Sequence, residues 1–104
     1  MTKELLKSSH KYIKDKLTEF DFSYSQSKYS TSQKARNEKE LEAKRILNSI
    51  KSHITRDEKL FEILRNNKSD YGMSVTEHET WEIYHFSGNM RVFLDDIQRE
   101  IDKV

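Results

Sequence analysis

The sequence predicts an all-α protein, a small bundle of three to four helices with a long C-terminal helix. Three observations predict it. Apolar residues recur at three- and four-residue steps in four separate stretches, which is the period of one helical face. Proline is absent and glycine occurs only at Gly72 and Gly88, a composition that suits helices and starves the tight turns of a sheet. Capping boxes stand at Thr55-Arg56-Asp57-Glu58, at Ser74-x-x-Glu77 and at Thr76-x-x-Glu79, each marking a helix start.

A chain of 104 residues is too short to divide its apolar residues between two cores, so residues 1–104 form one helical domain. Apolar residues make up 34% and charged residues 36%, against about 45–50% and about 25% in an ordinary domain. Such a lean core predicts self-association, and a homodimer is expected. Five Phe, five Tyr and one Trp argue against disorder. Without cysteine there is no disulfide framework, which fits a reducing, cytoplasmic setting. The opening MTKELLKSSHKYIKDKL has no unbroken apolar run and reads neither as a signal peptide nor as a membrane span.

The first helix is expected from about Thr2, its N-cap, to Phe20, with Leu6, His10, Ile13, Leu17 and Phe20 on one face. Residues 21–33, DFSYSQSKYSTSQ, break the period and read as a flexible Ser/Tyr-rich connection. A second helix follows from about Ser32 to Ile54, with Ala43, Ile46, Leu47, Ile50 and Ile54 as its stripe. After the bend at Thr55, a third carries Leu60, Phe61, Ile63 and Leu64 and stops near Asn66. The last is expected to start at Ser74 or Thr76 and run to about Lys103. Its residues Ile83, Phe86, Met90, Phe93, Ile97 and Ile101 resemble a coiled-coil seam and are the expected self-association surface. Gly88 inside it is expected to mark a close approach or a kink.

Net charge is +1, yet residues 1–56 hold 13 Lys/Arg against 7 Asp/Glu while residues 57–104 hold 6 against 11. Charge divided in this way can pair within the fold, pair between subunits, or face different partners. The basic half suggests a nucleic-acid or nucleotide binder as one alternative. Lys3, Lys7, Lys11, Lys14, Lys28, Lys34 and Arg36 would follow phosphates, with Tyr24 and Tyr29 stacking on bases. The near-neutral total weighs against it.

Chemistry finds little purchase. There is no cysteine, no Gly-x-Ser-x-Gly and no glycine-rich phosphate loop, so no enzyme activity and no cofactor are expected. A further alternative is a metal site on His78, Glu82 and His85, because Glu82-x-x-His85 has the spacing used in carboxylate-bridged di-iron bundles. An acidic first helical turn explains the same residues through the helix dipole.

What remains favoured is a non-enzymatic helical interaction protein that binds and regulates or inhibits a larger protein. Tyr71, Met73, Trp81 and Tyr84 are the expected partner-binding patch, because Trp and Tyr are frequent binding anchors. In size and composition the chain looks like the small helical proteins carried by phages and mobile elements, which often bind and block one host protein.

Overall fold

The computed structural model describes residues 2–66 and 81–104. Within them the chain forms α1 (Lys3–Tyr29), α2 (Gln33–Thr55), α3 (Glu58–Asn66) and α4 (Ile83–Asp102), and no strand. The predicted all-α bundle is the fold observed.

Thr2 caps α1, its hydroxyl oxygen accepting from the Leu5 amide at 3.2 Å. The helix does not stop at Phe20. It continues to Tyr29, so the expected connection over residues 21–33 shrinks to Ser30–Ser32. The reason lies in the stripe itself: Ser23 and Tyr24 extend the spacing of Leu6, Ile13, Leu17 and Phe20. Ser23 is buried, and Tyr24 stacks on Phe20 with ring centroids 5.5 Å apart. The serines also find partners inside the helix, as where the Ser27 hydroxyl donates to the Tyr24 carbonyl at 2.6 Å.

Ser32 then caps α2 by accepting from the Ala35 amide. With a three-residue connection, α1 and α2 must run antiparallel. Contacts agree: Phe22 lies beside Lys39 near the connection, while Ser9 and Tyr12 meet His53 at the open end. Thr55 closes α2 by donating to the Lys51 carbonyl, so it is not the cap of α3. Asp57 is, with Oδ1 accepting from the Lys59 and Leu60 amides at 3.0 and 3.1 Å. Short side chains at both positions made either choice compatible with the sequence.

α4 packs antiparallel to α1, with Phe86 on Phe20 and Arg91 on Asp21, and α3 lies against both α2 and α4. Trp81 and Glu82 are not helical and Glu82 is the N-cap, so α4 starts at Ile83 and does not run unbroken from the Ser74 or Thr76 boxes. Those two boxes lie outside the described residues. The core joins all four helices through Leu6, Ile13, Leu17, Phe20, Ile50, Leu60, Ile63, Phe86, Phe93 and their neighbours. At about 1.5 Å per residue, the 27 residues of α1 span about 40 Å and set the long axis of a 48 × 27 × 20 Å body.

Gly88 marks no close approach. It is exposed, and a Cβ placed on it would meet nothing within 4 Å. Gly88→Ala should therefore stabilise the protein by about 1 kcal/mol, the helix-propensity difference alone. A thermal melt should show a rise of about 4–8 °C; an unchanged or lower midpoint would mean that the glycine serves packing after all.

Candidate functional site

The long faces of α1 decide what the molecule presents. One face enters the core. On its solvent side, where Lys14 and Thr18 border the cleft against α4 and Phe22 lies beside α2, Lys7, Lys11, Lys14, Thr18, Phe22, Ser25 and Tyr29 follow each other at steps of three and four, and every one is exposed. Phe22 is 62% exposed and Tyr29 79%, two turns apart on the same face. The sequence names Lys7, Lys11, Lys14 and Tyr29 but not Phe22, and an α1 ending at Phe20 leaves Phe22 and Tyr29 off any helix and the row unseen. Once the helix continues, their seven-residue separation puts them in register with the lysines.

The far end of the α1–α2 hairpin is held by polar contacts. None of residues 24–42 is buried. Arg36 fastens the turn, with Nη1 donating to the Ser30 carbonyl at 2.8 Å and Nη2 donating to Gln33 Oε1 at 2.8 Å. It thereby satisfies a carbonyl at the end of α1, a task basic side chains often perform. Lys39 of α2 reaches over the Phe22 ring at 5.9 Å, so the exposed aromatic has a cation at its edge.

The residues nominated for nucleic acid divide accordingly. Lys7, Lys11 and Lys14 stand on the outer stripe, although Lys11 pairs with Asp15 at 3.1 Å; Lys3 sits at the first turn. Lys34 is exposed at the start of α2. Tyr24 is no open stacking platform, because Phe20 lies on one side and Lys28 Nζ is 4.4 Å from its ring centroid. Arg36 is occupied by the turn.

The aromatic entry to α4 divides as well. Trp81 is half-buried, packed on Phe86 at 6.1 Å with Lys51 Nζ 5.9 Å from its ring, so it works mainly as cover for the core. Tyr84 is 75% exposed. Tyr71 and Met73 lie outside the described residues. The seam expected for self-association is consumed within the chain: Phe86, Met90, Phe93, Ile97 and Ile101 are buried in the core, and Ile83 packs against it. A helix seam looks the same in sequence whether a second copy or the chain's own helices cover it. Of the metal alternative, His78 lies outside the described residues, Glu82 is the non-helical N-cap, and His85 is exposed.

Comparison with protein-family models, with curated proteins and with solved structures finds no match.

Two clefts border α1. Between α1 and α2, Tyr12 lies on the His53 ring at 4.4 Å, the His53 Nε2 and Ser9 Oγ are 3.3 Å apart, and Asn48, Ser52 and Arg56 line the open side. Between α1 and α4, His10, Lys14, Asp21, Arg91 and Asp95 line a charged cleft. Asp21–Arg91, at 2.6 Å, is the ion pair that joins two helices among the described residues, and it is formed by an acid of the basic half and a base of the acidic half. The remaining pairs there are local, within one helix.

His10 has its pKa lowered from 6.5 by burial and by the Lys14 charge, with Asp95 opposing. Folding therefore favours neutral His10, and the unfolded chain takes up this proton first as pH falls. The stability it contributes is present above pH 6.5 and declines as acid titrates the unfolded form, until the folded pKa is passed. Melting temperatures from pH 7.5 to 5.5 should fall more steeply for the natural chain than for His10→Gln. Equal slopes would remove His10 from the acid response.

Proposed function

We propose that this protein is a non-enzymatic interaction protein that binds a larger protein and regulates or inhibits it, docking through the outer face of α1. The observation that carries the reading is Phe22 and Tyr29, 62% and 79% exposed on one side of a long helix. Water is a poor surrounding for two large rings. Apolar groups held in solvent on a rigid element are what a binding surface presents, and aromatic rings supply contact area at low entropy cost. The lysine row beside them adds long-range attraction toward a negatively charged partner.

Nucleic acid is the competing occupant, favoured by the same lysines. Against it stand Tyr24 and Arg36, which are engaged in packing and in the turn, and Asp15, which faces any phosphate placed near Lys11.

Affinity capture with the tagged full chain in source cells, after nuclease treatment of the extract, tests the reading. The natural chain should retain one protein in fixed proportion. Phe22→Ser combined with Tyr29→Ser should lose it while circular dichroism stays unchanged. A complex that survives both substitutions, or one released by nuclease, overturns the proposal.

A further inference from the structure

Resting on that reading, we infer that the partner's docking element is an acidic amphipathic helix laid lengthwise on the outer face of α1. The stripe from Lys7 to Tyr29 advances in steps of 4, 3, 4, 4, 3 and 4 residues, a near-straight line on a helix. It covers 22 residue steps, about 33 Å at 1.5 Å per step. A straight row of that length is matched by the ridge of a second helix of about six turns packed at a shallow angle, not by a compact pocket.

The row has two halves. Lys7, Lys11 and Lys14 form a cationic one, and Phe22 and Tyr29 an aromatic one, with the small Thr18 and Ser25 leaving notches for side chains of the partner. One cation also borders the aromatic half, where Lys39, itself paired with Glu42, leans over Phe22. Carboxylates at helical spacing complement the lysine half, and apolar residues on the same face of the partner would cover the rings. A helix can set a base among its acids opposite Asp15, whereas a phosphate chain repeats one sign without relief. That difference favours the acidic helix over nucleic acid.

Photo-crosslinking in source cells tests this, with p-benzoylphenylalanine replacing Thr18, Ser25 or, as a control on another helix, Tyr84. Crosslinks from positions 18 and 25 should fall on one helical, net-negative segment of a single partner. The combined variant Lys7→Glu, Lys11→Glu and Lys14→Glu should cut the yield at least tenfold. The neutral set Lys7→Gln, Lys11→Gln and Lys14→Gln should cut it by a smaller factor, with helicity followed for both sets by circular dichroism. Crosslinks on a segment without net negative charge, or yields indifferent to both lysine sets, overturn the inference. A protein captured only from position 84 overturns the inference and the docking face on α1, and leaves standing only that the chain is an interaction protein. Nucleic acid alone at every position, or no protein at any, overturns both.

Discussion

Phe20→Ala is expected to cost about 3–5 kcal/mol, the usual loss for truncating a buried phenylalanine. Phe20 is fully buried where α1 meets α4, with its ring edge-on to Phe86 at a centroid separation of 5.0 Å and with Tyr24 stacked on the other side. Removing the ring leaves a cavity that both neighbours line, and aromatic pairs contribute beyond their buried area. With only 34% apolar residues the chain has few contacts in reserve. Total stabilities of about 5–15 kcal/mol are ordinary, so the variant should be marginally folded at room temperature. Urea unfolding followed by circular dichroism measures the loss. Phe22→Ala, two residues away and mostly exposed, should stay within about 0.5 kcal/mol of the natural chain. Similar losses for the two variants would contradict the assignment of Phe20 to the core and Phe22 to the surface.

Phe22→Pro should cost about 3 kcal/mol or more, far beyond Phe22→Ser. Inside α1, proline at this position removes an amide donor and presses its ring against the carbonyl one turn earlier. That distortion reaches Phe20 and the Asp21–Arg91 pair. If residues 21–33 were instead a flexible connection, proline would change stability by a few tenths of a kcal/mol at most. The same urea experiment separates the two. A small loss would return α1 to an end near Phe20 and would take the outer stripe away with it.

The helical class was readable because helix formation is largely local. Thr2 and Ser32 act as the N-caps of α1 and α2 by accepting amides three residues on, a geometry fixed by the backbone alone. The apolar stripes were readable for the same reason: Ile13, Leu17, Ala43, Leu47, Ile50, Phe86, Met90, Phe93 and Ile97 recur at helical spacing, and all are buried. The end of α1 was not. Five serines within residues 21–33 suggest a loop, because serine competes with the helix for its own backbone. In place, Ser23 is buried, and packing outweighs a propensity deficit of a fraction of a kcal/mol per residue.

The candidate site followed from that difference. Trp81 and the α4 seam carried the strongest sequence signals, yet apolar periodicity records only that something covers a face. In this fold the covering groups are Phe20, Lys51 and the rest of the chain's own core. Phe22, which carried no signal, and Tyr29, read only as a base-stacking ring on a linker, became one surface once their helix was continuous.

By itself the sequence determined the helical class, the start of α1 at Thr2 and most of the side chains that seek a core, since these depend on spacing along one chain. Only the tertiary structure decided where α1 ends, which seam is used up inside the molecule and which aromatics remain in water. Those outcomes are set by contacts between residues far apart in sequence, where burial of apolar area overrides local preference.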